Sequence, residues 1–85
     1  MESHKVYIGN LSHSVTEEEI KDIYEEFGDI KSIHLNAGEG FGFIEYGTIE
    51  EAESAIHGTH GKEFFGRTLK AEDARQVMHH APRYR

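Results

Sequence analysis

The chain has 85 residues, with nine Lys or Arg, sixteen Asp or Glu and seven His, for a formal net charge of −7 at pH 7. A chain of this length forms one domain with a small core, because a domain of this size buries only about 60–65% of its unfolded surface. The length therefore excludes a large enzyme. The absence of cysteine excludes disulfides, zinc–thiolate sites and thiol nucleophiles. No apolar run approaches the roughly 18 residues that cross a bilayer, so we expect no membrane contact. Taken alone, the acidic balance argues against nucleic acid, because phosphate binding usually depends on basic residues.

The first predicted strand covers residues 5–11, where Val6 and Ile8 alternate with Lys5, Tyr7 and Gly9. Such a period of two is typical of a strand that is buried on one side.

A helix is predicted next, because Thr16 and Glu19 have the spacing of a capping box and Gly28 provides an end. Its apolar residues recur at helical spacing, at Ile20, Ile23, Tyr24 and Phe27.

A second and a third strand are predicted at residues 30–36 and 41–46, joined by a Gly-rich turn at 36–40. In the second strand Ile33 and Leu35 point inward, while Ser32, His34 and Asn36 point outward.

The second half of the chain continues with a helix and a last strand. Thr48 and Glu51 repeat the capping-box spacing, and the helix is expected to stop near Gly58. Residues 64–67 form a hairpin-like connection into a strand from Thr68 to Glu72, with Leu69 and Ala71 inward and Lys70 and Glu72 outward. The order βαββαβ predicts an α+β fold in which two helices cover one face of a four-stranded antiparallel sheet.

Three aromatic rings are expected on the open face of this sheet. Because the side of the first strand that carries Val6 and Ile8 is apolar enough to be the core, Tyr7, Phe41 and Phe43 fall on the opposite side. The alternative, in which the rings are core residues, requires Val6, Ile8, Ile44 and Tyr46 to be exposed. Rings held on a rigid sheet stack with unpaired bases, at about 1–3 kcal/mol per base.

Two segments resemble the motifs of a known family. Val6–Leu11 resembles the shorter RNP motif of the RNA recognition motif, and Glu39–Tyr46 resembles its octamer. The run Gly61–Leu69 is also similar to that family, and the resemblance extends over about residues 5–73. It implies the ferredoxin-like fold of the family, and the short loop between the second and third strands is most similar to serine/arginine-rich splicing proteins.

The resemblance also implies roles for individual residues. Tyr7 and Phe43 would stack on two successive bases, Phe41 would pack between their sugars, and the backbone near Ala74 and Arg75 would read base edges. The further candidates for RNA binding are Lys5, Asn10, His34, Asn36 and Lys70. For His34, an uninvolved surface histidine remains the alternative.

One position departs from the family pattern. Glu39 stands where the octamer normally begins with Lys or Arg, so the phosphate contact is expected to shift to Lys5, Lys70, Arg75 or the basic C-terminal segment. Residues 17–29 carry −6 and residues 48–56 carry −3, so the rest of the chain sums to +2. The acidity therefore lies on the helices, and we expect weak, salt-sensitive RNA binding by the sheet.

A protein-binding variant of the same fold is the alternative function. Some relatives use an acidic first helix and an Arg-x-Phe loop to hold a tryptophan of a partner, and Lys62–Phe64 is the nearest equivalent here. This hypothesis assigns a basic or Trp-containing peptide to a surface that includes Glu18, Asp22, Glu25 and Phe64.

Other chemistries find little support. His57 and His60, or His79 and His80, lack a positioned third ligand for a metal site. The glycines at 38, 40 and 42 do not open a helix as a dinucleotide fingerprint does. We expect no catalytic residues, no metal and no cofactor, and therefore a protein that is not an enzyme.

These observations predict a tail at residues 1–4, an RNA recognition motif at 5–74 and a flexible tail at 75–85. The expected partner is single-stranded RNA, with a second, protein partner on the acidic helices. We expect a monomeric domain that belongs to a longer mRNA-processing or splicing protein in the nucleus, with the cytoplasm as a further location.

Overall fold

The computed structural model describes residues 4–74, and within that range the chain forms two α-helices and six strands. Helix α1 spans Glu17–Tyr24 and helix α2 spans Ile49–Thr59. The strands are β1 (Lys5–Gly9), β2 (Ile30–Asn36), β3 (Phe41–Tyr46), β4 (Glu63–Phe64), β5 (Arg67–Thr68) and β6 (Lys70–Asp73). Of the tails predicted at residues 1–4 and 75–85, residues 1–3 and 75–85, including Arg75, lie outside the described residues.

Four of these strands form one antiparallel sheet in the order β2-β3-β1-β6, and β4 pairs with β5 in a separate hairpin. Helices α1 and α2 contribute side chains to the same core, on one face of the sheet. The predicted α+β fold with ferredoxin-like βαββαβ order is therefore confirmed. Within residues 4–74, neither helix is long and apolar enough to cross a lipid bilayer.

The core lies between the sheet and the helices, on the side that the alternation of β1 predicts. Val6, Ile8, Ile44 and Tyr46 are at most 1% exposed. The alternative in which the strand aromatics Phe41 and Phe43 fill the core is wrong, because these four residues occupy it. The other buried apolar side chains include Leu11, Val15, Ile20, Tyr24, Ala52, Ala55, Leu69 and Ala71.

The beginnings of both helices follow the predicted caps. The Thr16 hydroxyl accepts from the Glu19 N–H at 3.2 Å, and the Glu19 carboxylate accepts from the Thr16 N–H at 3.0 Å, which completes a capping box. The Thr48 hydroxyl accepts from the Glu51 N–H at 3.2 Å. The first helix is shorter than predicted, because the last turn before Gly28 is a 3-10 turn at Glu25–Phe27.

The last strand begins later than the prediction of Thr68. Arg67 and Thr68 belong to the β4–β5 hairpin, so β6 begins at Lys70. The predicted hairpin-like connection is confirmed, and its turn holds Phe65 at φ 54° and Gly66 at φ 80°. Both values lie in the left-handed region that a tight two-residue turn requires. Leu69, which belongs to neither strand, therefore separates a small hairpin from the main sheet.

A chain of three buried hydrogen bonds ties both helices to the sheet. The Tyr46 hydroxyl donates to the Tyr24 carbonyl at 2.6 Å, and the Tyr24 hydroxyl donates to the Thr59 hydroxyl at 2.9 Å. Thr59 in turn donates to the Ala55 carbonyl at 2.7 Å. Burial raises the pKa of both tyrosines well above the usual value of 10.0, so both hydroxyls stay protonated as donors.

We expect Tyr24→Phe to lower the free energy of unfolding by about 1–2 kcal/mol, because it leaves the buried Thr59 hydroxyl without its donor. Urea denaturation followed by circular dichroism measures this loss. The matched control is Tyr7→Phe, which removes a hydroxyl from the open face and is expected to change stability by less than about 0.5 kcal/mol. Equal losses in the two variants would show that the buried chain does not stabilise the fold.

Candidate nucleic-acid interface

Three aromatic rings lie together on the open face of the sheet, where the sequence predicts them. The ring centroids of Tyr7 and Phe43 are 5.6 Å apart, those of Phe41 and Phe43 are 6.0 Å apart, and those of Tyr7 and Phe41 are 6.1 Å apart. All three side chains are half-buried. We refer to Tyr7, Phe41 and Phe43 as the aromatic platform. Its rings support one another while their outer faces remain accessible.

The pairing of β1 with β3 produces this cluster. Tyr7 lies opposite Phe43, and Gly9 lies opposite Phe41. Because residues two apart on a strand share a face, all three rings lie on the same face at the centre of the sheet. A Cβ atom at Gly9 would come within 2.7 Å of the Tyr7 hydroxyl oxygen, so the Tyr7 side chain lies along its strand over Gly9. A larger residue at position 9 would therefore displace the ring.

The open face is organised in three rows that cross the sheet. The central row consists of Glu72, Tyr7, Phe43 and His34. The row on one side of it consists of Lys70, Gly9, Phe41 and Asn36, and the row on the other side consists of Lys5, Glu45 and Ser32. The predicted residues Lys5, His34, Asn36 and Lys70 are thus brought together with the rings.

The charges of this face balance. The face carries two cations, Lys5 and Lys70, and two carboxylates, Glu45 and Glu72. The Ser32 hydroxyl donates to the Glu45 carboxylate at 3.0 Å. Position 39, where Glu replaces the usual cation, is exposed beside the platform strand β3. The net charge of +2 that the sequence assigns to the residues outside the two acidic segments is therefore not found on the open face of the described sheet. That sum includes the three arginines of residues 75–85.

Asn10 is positioned differently from the other predicted residues. Its backbone has φ 63°, and its side-chain N–H donates to the Thr68 carbonyl at 2.6 Å. The Arg67 guanidinium donates to the backbone carbonyl of Asn10 at 3.2 Å and to its side-chain oxygen at 3.1 Å. Asn10 thereby attaches the β4–β5 hairpin to the end of β1, a role that its sequence position does not indicate.

A cleft of about 490 Å³ opens beside Tyr7, between the platform and the hairpin. Its walls include Asn10, His60, Thr68 and Lys70. The Nδ1 atom of His60 accepts from the Ala71 N–H of β6 at 3.1 Å. The predicted contact at Ala74 lies directly after β6. Its side chain is buried, so only its backbone can contact a ligand.

The helical face carries a second cleft, of about 530 Å³. Of the residues predicted for a protein partner, Asp22 and Phe64 line it, whereas Glu18 and Glu25 are exposed elsewhere on the helical face. Its other walls include Ile23, Glu26, Phe27, Gly58, Thr59 and Lys62. A Cβ atom at Gly58 would collide with the Phe27 ring, so the glycine makes room for an aromatic wall.

The prediction from sequence missed two participants in these surfaces. The alternation of the last strand predicts that Glu72 points outward. That it lies directly opposite Tyr7 is known only from the pairing of β6 with β1. Glu26, rather than Glu25, lines the helical cleft. Within residues 4–74, no group of three or more His, Asp or Glu side chains is arranged to hold a metal ion.

Comparison with known proteins agrees with this geometry. A family model described as RNA recognition motif matches residues 6–70. The probable splicing factor, arginine/serine-rich 3, of Caenorhabditis elegans is 39% identical over 83 residues, which cover 95% of this chain and 32% of that protein. The putative RNA-binding protein RbpF of Nostoc sp. is 38% identical over 76 residues, which cover 82% of this chain and 72% of that protein.

A solved structure gives the same result for the fold. The RNA15 RRM superposes with a TM-score of 0.78 at 28% identity and covers 85% of this chain and 90% of that one. This chain thus spans about a third of the splicing-factor relative but most of the RNA15 domain.

Proposed function

Because this chain belongs to the RNA recognition motif family, we propose that its open sheet face binds single-stranded RNA. The observation that carries the proposal is the aromatic platform, in which Tyr7, Phe41 and Phe43 lie within 6.1 Å of one another on a face that the helices leave uncovered. Domains of this family stack two or three bases on such rings. A half-buried cluster of rings on the uncovered face of the sheet lies outside the core and is suited to flat, apolar ligands.

In this proposal the three rings have different roles. Tyr7 and Phe43 each stack on a base, and Phe41 packs between the two sugars. Lys5 and Lys70 are on the two flanking rows, where each can contact a phosphate. His34 and Asn36 stand beside the platform as candidates to hydrogen-bond base edges, together with Asn10 and the backbone at Ala74 and Arg75.

The balanced charge of the face sets the affinity that we expect. With two cations and two carboxylates on the face, and Glu39 beside it, few phosphates are neutralised by the described sheet. We propose that the isolated domain binds weakly and as a monomer, and that affinity falls as salt concentration rises.

The process served is proposed from the relatives. The splicing factor of Caenorhabditis elegans is more than three times the length of the matched region, and we propose by analogy a role in splicing or mRNA processing in the nucleus. RNA recognition motifs are RNA-binding domains, so a binding function without catalysis is the corresponding proposal.

We expect Tyr7→Ala and Phe43→Ala each to weaken binding to short single-stranded RNA by about 1–3 kcal/mol, because each removes one stacking surface. Fluorescence anisotropy with labelled pentanucleotides at low salt measures the affinity. The matched control is Phe65→Ala, which removes the 47%-exposed ring at the hairpin turn, away from the platform. All three variants are expected to remain folded. If the platform variants bind as tightly as the Phe65 variant, the stacking proposal is wrong.

A second candidate function is supported by the cleft on the helical face. Its walls combine the Phe27 and Phe64 rings with the carboxylates of Asp22 and Glu26. An aromatic side chain flanked by positive charges is complementary to such a site, since apolar walls receive the ring and acidic residues attract the cations. We propose a basic peptide that carries a tryptophan as the occupant.

We expect a synthetic peptide with one tryptophan between arginines to bind the domain, and replacement of its tryptophan by alanine to cost about 2 kcal/mol or more. Glu26→Lys should weaken binding by up to about 1 kcal/mol through charge repulsion at the cleft. Glu53→Lys, an identical charge change on the exposed side of α2, is the control and should have a smaller effect. Isothermal titration calorimetry distinguishes these cases. Equal effects of the two lysine variants would indicate general charge attraction and no specific cleft binding.

A further inference from the structure

Glu72 occupies an unusual position beside the aromatic platform. It is the direct cross-strand neighbour of Tyr7 on β6, on the open face of the sheet, and its side chain is half-buried. Its carboxylate has no hydrogen-bond or ion-pair partner among residues 4–74, whereas its backbone belongs to the pairing of β6 with β1. Glu45, the other carboxylate of the face, differs because it accepts a hydrogen bond from Ser32. Within the described residues, Glu72 therefore presents a carboxylate with unused acceptor capacity in the central row of the open face, next to Tyr7.

A base stacked on Tyr7 would meet this carboxylate. Directly opposed residues on antiparallel strands have Cβ atoms about 4.5–5.5 Å apart, and a base that covers a tyrosine ring extends over the neighbouring position. Because the Tyr7 ring extends along β1 over Gly9, the edge of the base on the β6 side faces both Glu72, opposite Tyr7, and Lys70, opposite Gly9. Across the same row, the ring of Phe43 separates Tyr7 from His34.

The chemistry of a carboxylate restricts which base fits. An ionised carboxylate only accepts hydrogen bonds, at two adjacent oxygens. Guanine offers two adjacent donors on its Watson–Crick edge, the N1–H and the exocyclic N2–H, and single-stranded recognition leaves that edge free. Adenine and cytosine offer one amino group beside a ring-nitrogen lone pair. Uracil offers one N–H between two carbonyl oxygens, which a carboxylate repels.

We propose that Glu72 makes the Tyr7 position a guanine site, through paired hydrogen bonds from the base to its carboxylate. This inference rests on the proposed function, since it requires a base on Tyr7. It also gives a physical reason for a negative charge in the central row of a surface that binds phosphates. The carboxylate weakens the attraction for every RNA alike, and the recognition of guanine compensates for that loss only when guanine is present.

His34 provides no equivalent restriction at the other end of the row. A neutral imidazole both donates and accepts, so the base on Phe43 can present either kind of group. The selectivity that we infer is therefore confined to one of the two stacking positions.

The test uses four pentanucleotides, a uridine background with G, A, C or U at the centre, and measures their affinities by fluorescence anisotropy. The flanking uridines allow the central base to slide onto Tyr7. We expect the wild type to bind the G-centred RNA about tenfold or more tightly than the all-uridine RNA, with A and C between them. In Glu72→Gln, which keeps the shape and removes the charge, we expect this ratio to fall to about threefold or less, because the all-uridine RNA gains affinity while the G-centred RNA loses it.

The matched control is Glu39→Gln, the same chemical change at an exposed position in the turn before β3, which is not in the row of Tyr7. It is expected to raise affinity for all four RNAs by a similar factor and to leave the preference for G unchanged. The inference is overturned if Glu72→Gln shifts all four RNAs by a common factor as Glu39→Gln does, or if the wild type does not prefer G. The variant Tyr7→Ala distinguishes failure of the guanine site from failure of the platform proposal. If that variant binds all four RNAs as the wild type does, the platform proposal fails as well.

Discussion

The antiparallel register between β1 and β3 is the constraint on which the rest of the molecule depends. Because Val6 lies opposite Ile44 in the core, the next pair, Tyr7 opposite Phe43, must lie on the other side of the sheet. A shift of one residue would bury the rings and expose the aliphatic core. The helices cover only the aliphatic side, so the same pairing that builds the core also leaves an aromatic surface open.

The charge distribution becomes consistent with RNA binding once it is placed on this framework. Residues 17–29 carry a net charge of −6, and they lie on α1 and the turn that follows it, behind the sheet. On the open face, two lysines and two glutamates balance. In the proposed function, binding by such a surface depends on stacking more than on phosphate neutralisation. We infer that single polar groups such as the Glu72 carboxylate then distinguish the bases.

Alternation and capping signals were sufficient to predict the fold and the platform. The periods of β1 and β3 place every ring correctly, because a strand has only two faces and one was clearly apolar. What the sequence could not provide depends on pairing and on long-range contacts. The use of Asn10 to hold the hairpin involves Thr68, 58 positions away. The end of the sheet at Lys70 depends on Arg67 and Thr68 pairing with β4, which a strand pattern alone does not distinguish from a longer β6.

The helical cleft shows the same limit. The acidic first helix and Phe64 are evident from the sequence, but the choice of Glu26 over Glu25 depends on how the 3-10 turn after α1 rotates the side chains. The space over Gly58, which accommodates the Phe27 ring, arises only when α2 packs near that turn. Sequence patterns thus identify surfaces, and packing decides which residues of each surface act together.

The most direct test of the central claim is an NMR titration of the isotopically labelled domain with short single-stranded RNA. The backbone amides of β1 and β3, with Glu72 and His34 at the two ends of the central row, are expected to shift together, while those of α1 and α2 remain unchanged. This result would place RNA on the aromatic platform. Shifts confined to the helices, with the amides of Tyr7 and Phe43 unaffected, would contradict it.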